Sequence, residues 1–409
     1  VRVEVRLPEP GLLRWLWDLA LGEVALLDGL RVVSVEPWGL VVEVKPEDFV
    51  DALRNAFNSY RYKASGAGPR LTGGADKAII KNLGLEENTL GAAFVASMSH
   101  LMGHVEAGFD VVESLGGLTV DRRRGVWMGL DSTFVTPSFL KNIEYLEHKS
   151  GFLSPSIGAI SMVKMDVLWL ALLLLGFYIG YAGFYGGGAL HLVVKEDLEQ
   201  YMAGPRRLLE SAMGTVKWVA DVAGERRRML DVEEVYEMDL ALGLAEMLSS
   251  GGLGGLLWPV TVVRARKMGQ VFVADRVVHL RLDRLVSFAA RYREELGRLK
   301  GMGYRLGVKW GDSEVTPLEW LVRRAELEVA ARRGRDSSGE AVALLAVKDL
   351  YRAVEAGSVK LVEEALLRLA RRAAATRDSA GQRMDYPMNV FVSGRHLEAL
   401  LRAAEGAGG

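Results

Sequence analysis

The 409-residue chain contains no cysteine. Disulfides, thiolate metal sites and cysteine nucleophiles are therefore all excluded, and a cytoplasmic location fits. Side-chain amides are scarce too: Asn55, Asn58, Asn82, Asn88, Asn142, Asn389, Gln200, Gln270 and Gln382 are all there are. Few heat-labile amides and no cysteine point to a thermophilic source. Neither sign of charge dominates, since 51 Lys and Arg face 52 Asp and Glu for a net −1. An anionic partner must then be held by local patches, because no overall field would attract it. The first residues, VRVEVRLPEPG, lack an apolar core region, so no secretory signal is expected. Half the residues are apolar and a quarter charged, as in a folded protein of two or three domains.

Catalytic motifs are missing as well. There is no nucleophile elbow, and Gly66-Ala67-Gly68 lacks a third glycine in register. Gly73-Gly74-Ala75-Asp76-Lys77 lacks the Gly-Lys-Ser/Thr ending of a phosphate loop. Asp131, Ser132 and Asp385 have ordinary turn roles. His100 and His104 have the spacing of two zinc ligands on one helix face, but Leu101 follows His100 where a zincin has glutamate. A third ligand, such as Glu106, would have to be supplied. The expectation is a protein that is not an enzyme and has no cofactor. A metal-dependent enzyme using His100 and His104 is one alternative.

What the chain does have is a concentrated basic segment. From Arg54 to Lys81 it reads RNAFNSYRYKASGAGPRLTGGADKAIIK, with Arg54, Arg61, Lys63, Arg70, Lys77 and Lys81 against the single acid Asp76. Phe57, Tyr60 and Tyr62 sit among these cations, and Gly66, Gly68, Gly73 and Gly74 loosen the middle. Cations interleaved with stacking rings on a flexible backbone suit a polyphosphate that carries flat bases. The candidate nucleic-acid contacts are Arg54, Tyr60, Arg61, Tyr62, Lys63, Arg70, Lys77 and Lys81. Arg122, Arg123 and Arg124 join them at the tip of an expected hairpin over Leu118–Leu130. A solvated surface loop is the plain alternative. Arg206-Arg207 and Arg226–Arg228 are weaker, the latter being balanced by Glu225, Asp231 and Glu233.

One long hydrophobic run stands out: Val167–Val194 has no charged residue. VLWLALLLLGFYIGYAGFY is long enough to span a bilayer, and Gly176-Phe177-Tyr178-Ile179-Gly180 has small-xxx-small spacing. A single span over 167–185 is therefore a second alternative. Glycines crowding toward Gly186–Gly188, and the absence of a second span, favour a helix buried in a large domain.

The patterns predict an α+β protein. Strand, helix, strand, strand and helix over residues 1–60 suit a small sheet domain of ferredoxin-like type. Helix is expected over Leu90–Phe109 and through most of Ser138–Ser250. The glycine cluster Gly251–Gly255 with Pro259 marks a boundary. A second hairpin over Val260–Leu282 and a helical C-terminal bundle follow, with an Ala/Gly-rich tail expected to be disordered. The domains implied are 1–135 with the basic segment, 136–255 with the apolar helix, and 256–409.

This order of elements resembles the large subunit of archaeal type I-A CRISPR surveillance complexes (Cascade). The resemblance rests on the α+β portion through Asn55–Tyr62, the apolar stretch Asp166–Gly176 and the helical C-terminal part. It implies a subunit of an RNA-guided antiviral ribonucleoprotein that recognises the duplex motif flanking a target, helps open the duplex and contacts the displaced strand. Its implied partners are guide RNA, target DNA, other effector-complex subunits and a separate helicase-nuclease, with no membrane. Guide pairing reads the sequence in such complexes, so the protein needs phosphate contacts, a wedge and a few base-edge donors.

Overall fold

Val3 and Val5 alternate with charged neighbours and form a strand, as the pattern predicts. The computed structural model describes residues 1–8, 11–65, 68–74, 76–121, 125–131, 133–140, 163–185, 188–226, 232–251, 257–269, 271–333, 341–375 and 394–407. The protein is α+β and divides into two units, Val1–Arg227 with Pro259–His279, and Arg228–Trp258 with Leu280–Gly409. The first unit thus replaces the expected break near residue 135.

The first unit begins with β1 (Arg2–Arg6), α1 (Leu12–Leu26), β2 (Leu30–Glu36), β3 (Gly39–Val44) and α2 (Pro46–Ala64). β3 lies between β1 and β2 and is antiparallel to both. β1 and β2 therefore run parallel and are joined through α1, which is the split βαβ arrangement of ferredoxin-like folds with three strands. Next come α3 (Asp76–Leu83), α4 (Leu90–Glu106) and α5 (Val111–Gly116). The hairpin of β4 (Leu118–Asp121) and β5 (Gly125–Met128) follows, as expected. β6 (Phe134–Val135) and β7 (Val163–Met165) complete a sheet in the order β4-β5-β7-β6.

The apolar run forms α6 (Val167–Gly180), and every residue of that helix is buried. Its 14 residues extend about 21 Å at 1.5 Å per residue, short of the roughly 30 Å hydrocarbon core of a bilayer. Among the described residues no helix is long and apolar enough to cross a membrane. The structure thus corrects the single-span alternative. After Gly180 the chain turns to β8 (Tyr181–Tyr185) and β9 (Ala189–Val194), which pair antiparallel. This strand pair interrupts the stretch expected to be mainly helical from Ser138. Glycines and β-branched residues end the helix there and start strands.

α1 crosses α6 closely. Trp17 and Trp169, both fully buried, meet edge to face at 5.6 Å, and Trp17 Nε1 donates to the Trp169 carbonyl at 3.2 Å. α7 (Leu198–Met202) and α8 (Arg206–Arg226) follow. The second hairpin, β10 (Val260–Met268) and β11 (Val271–Leu280), is present as predicted. It does not open a C-terminal domain, because it extends the first unit's sheet in the order β11-β10-β9-β8.

The second unit contains α9 (Glu233–Gly251), α10 (Asp283–Gly301), β12 (Val308–Trp310), β13 (Ser313–Val315), α11 (Pro317–Arg333), α12 (Val342–Glu355), α13 (Val359–Ala375) and α14 (Gly394–Ala407). The tail expected to be disordered is helical through Ala407. It buries Ala399, Leu400, Ala403 and Ala404 against neighbours that include α10.

Glu237 of α9 is 3 % exposed and accepts the Tyr351 hydroxyl of α12 at 3.0 Å. Burial pushes its carboxyl from 4.5 to about 7; the Tyr351 bond opposes that rise, while Glu233, Glu355 and Glu234 add to it. Lys348 and Arg352 face the same cluster but pair with Glu234, at 3.3 and 3.9 Å. A carboxyl whose folded pKa lies above its unfolded value contributes stability that is complete below about 4.5 and lost as pH rises through about 7. Melting of the full chain should therefore shift downward between pH 5 and pH 8. Glu237→Gln is expected to flatten that dependence and add about 1–3 kcal/mol at pH 8. Calorimetric scans of both proteins across this pH range check it.

Candidate nucleic-acid interface

The basic segment starts inside a helix. Pro46 at the first turn with Glu47 and Asp48, and Arg61 with Lys63 in the last turn, suit both ends of α2 and its dipole. Phe49, Leu53, Ala56, Phe57, Tyr60 and Ala64 recur at helical spacing and are buried. Phe57 stacks on Phe94 of α4, with ring centroids 4.3 Å apart. Residues 54–64 are therefore helix, which continues past the expected end near residue 60. The opposite face exposes Arg54, Asn55, Asn58, Ser59, Arg61 and Tyr62, and Tyr62 is 63 % exposed. Asn55 and Asn58 were not among the sequence candidates. The same 3.6-residue period that buries Phe57 turns them outward, and both carry base-edge hydrogen-bonding groups.

Tyr60 and Lys63 face the other way, a correction to their reading as contacts. Tyr60 is 6 % exposed, and its hydroxyl reaches Glu23 of α1 at 3.5 Å. Two ammonium groups stand near its ring, Lys63 at 5.8 Å and Lys217 of α8 at 5.9 Å from the centroid. Lys217 pairs with Glu23 at 2.7 Å, and Lys63 with Asp221 of α8 at 2.8 Å. Burial, with Glu23 and Asp221 next in weight, pushes the Tyr60 hydroxyl well above the usual tyrosine range. Both residues therefore tie α2 to α1 and α8.

The later cations lie on short, well-anchored pieces. Residues 69–71 run antiparallel to 88–90, with Leu71 N donating to Asn88 O at 2.9 Å and Leu90 N to Pro69 O at 3.0 Å. Leu71 turns inward and Arg70 outward. Asp76 is 2 % exposed and accepts from the backbone N–H of Gly73 at 2.7 Å and of Ser138 at 2.8 Å. The one acid of the segment is thus used inside. Lys77 and Lys81 stand exposed one turn apart on α3, and α2 and α3 both pack on α4. Arg54 pairs with Asp51 at 2.9 Å. Arg61, Arg70, Lys77 and Lys81 make no ion pair among the described residues. Arg122, Arg123 and Arg124 lie outside the described residues.

Another feature of the first unit contrasts with this one. An open groove of about 680 Å³ is lined by Asp28, Arg31, Glu43, Lys45, Asp48 and Arg206 among others. Its charges are matched internally, Arg31 with Glu43, Lys45 with Asp48 and Arg206 with Asp28, so it offers no unbalanced positive charge to a phosphate. His100 and His104 lie on α4 with their Nε2 atoms 3.1 Å apart. Glu106 does not join them, and no group of three or more metal-ligating side chains exists among the described residues.

The family described as "CRISPR-associated protein (Cas_Csx9)" matches residues 45–401. The protein is therefore CRISPR-associated. Within that class the chain belongs to the Cas_Csx9 family, and the matched span begins at Lys45, so it takes in every candidate cation named above. No curated protein matches the chain.

Proposed function

We propose that this chain is the nucleic-acid-binding large subunit of an RNA-guided antiviral complex of type I-A, acting in the cytoplasm of a thermophilic archaeon. In this reading it holds the phosphate backbone near the target-flanking motif and contacts the displaced strand, while guide RNA reads the sequence. The observation that carries the proposal is the set Arg61, Arg70, Lys77 and Lys81: exposed, unpaired among the described residues, and lying within the family match. Arg54 supplements them, Tyr62 offers an exposed ring for a base, and Asn55 and Asn58 offer edge contacts. No catalytic step is assigned to the chain. Cutting belongs to a separate helicase-nuclease, and other subunits carry the guide.

The test is a salt titration of forked DNA binding by the complex assembled with guide RNA. Replacing Arg61, Arg70, Lys77 and Lys81 together with alanine should lower affinity at least tenfold near 0.1 M salt. It should also reduce the slope of log K against log salt by about 3, at roughly 0.7–0.9 per lost phosphate contact. Lys63→Ala should lower the melting temperature and leave the slope unchanged, since Lys63 is spent on Asp221. An unchanged slope in the fourfold variant would remove the interface from this surface.

A further inference from the structure

His100 and His104 occupy successive turns of α4 and direct the same ring nitrogen at one point, Nε2 to Nε2, 3.1 Å apart. Their rings are steadied from outside. Phe134 stands edge-on to His100 and Phe109 edge-on to His104, each with centroids 6.1 Å apart. The helix beneath is fixed by Thr89, whose hydroxyl accepts from Ala92 N at 3.1 Å, and by buried Phe94, Met98 and Leu101. Gly103 between them faces open space, and His104 is exposed.

An imidazole–metal bond is about 2.0–2.1 Å long. An ion bonded to both Nε2 atoms across 3.1 Å would therefore subtend about 100°, between octahedral and tetrahedral values. We propose that His100 and His104 form a two-imidazole site for a divalent late transition-metal ion, zinc or copper. No third His, Asp or Glu completes it among the described residues, and His104 itself is exposed. A catalytic zinc centre takes three protein ligands and a structural one four. Two imidazoles instead make an exchangeable site open to an outside oxygen donor. Imidazole selects zinc, copper and nickel over magnesium and calcium, and copper binds more tightly than zinc.

The experiment uses the full chain stripped with a chelator and titrated calorimetrically with Zn²⁺ in a non-coordinating buffer. Electron paramagnetic resonance at one equivalent of Cu²⁺ counts the nitrogen ligands. The expected result is one Zn²⁺ per chain and a copper spectrum with two imidazole nitrogens. H100A and H104A should each weaken zinc binding at least tenfold, and together scarcely more than either alone. H279A, removing the exposed histidine beside Glu196, should leave binding unchanged. Thermal melts without metal verify folding of every variant, and zinc should raise the melting temperature of wild type and H279A but scarcely that of the His100 and His104 variants. Equal binding by wild type and H100A/H104A, or no binding by wild type, would show that the pair is only a hydrogen bond between imidazoles.

Discussion

Gly176→Ala is expected to cost the first unit about 3 kcal/mol or more, at the upper end of overpacking substitutions. A methyl group at this position would overlap the carbonyl oxygen and carbon of Leu16. These are backbone atoms of the fully buried Leu16 in a helix and cannot rotate away as a long side chain would. To admit the methyl, α1 must lift from α6. That separates Trp17 from Trp169 and weakens the Trp17 bond to the Trp169 carbonyl. Gly180, one turn on, is closed in the same manner by the Val193 carbonyl of β9. The small-xxx-small pair thus serves close packing inside the first unit. Gly103→Ala provides the control: it sits in a helix with nothing within 4 Å of the added atom. It should be neutral or stabilise by up to about 1 kcal/mol through helix propensity. Urea unfolding of the three proteins makes the comparison. A Gly176→Ala midpoint equal to wild type would mean that α1 and α6 do not approach as described.

Asp166→Ala should be about as damaging, with an expected loss of roughly 3–5 kcal/mol. Asp166 has no exposed surface and joins three separate pieces of chain. Its Oδ2 accepts the Ser114 hydroxyl at 2.6 Å and Leu130 N at 2.9 Å, and its Oδ1 caps α6 by accepting from Trp169 N at 3.1 Å. Burial pushes the carboxyl up, while these three hydrogen bonds hold it down. Removing the acceptor leaves each donor with part of its desolvation cost unpaid. Gly129, at φ 89°, brings its backbone against this carboxylate, where any side chain would collide. Asp166→Asn keeps one acceptor oxygen and should lose only about 1–2 kcal/mol. Equal midpoints for the alanine and asparagine variants would show that the hydrogen-bonding hub contributes little.

Much of the local architecture was legible in the chain. Alternation marked β1, Pro46 with its acids opened α2, and the β-branched runs after Pro259 formed a hairpin. The exposed placement of Arg61, Tyr62, Lys77 and Lys81 followed from helical spacing once α2 and α3 were in place. The fate of the uncharged run was not legible, because an apolar sequence lacks the polar stripe that would mark a face or an end. Glycine content at 183–188 was the only hint that helix gives way to hairpin. The unit boundary was hidden for a related reason. β10 pairs with β9, so the chain returns to the first unit after α9, and pairing between distant strands leaves little local trace.

By itself the sequence determined most helices and strands outside the uncharged run, and that positive charge is concentrated between residues 54 and 81. It also carried family membership, through residues 45–401. Only the tertiary structure decided which of those cations are free. Lys63 and Arg61 are two residues apart on one helix. Lys63 meets Asp221 and is nearly buried, whereas Arg61 faces outward unpaired among the described residues. Periodicity depends on neighbours along the chain, but an ion pair depends on an acid that folding brings from another helix.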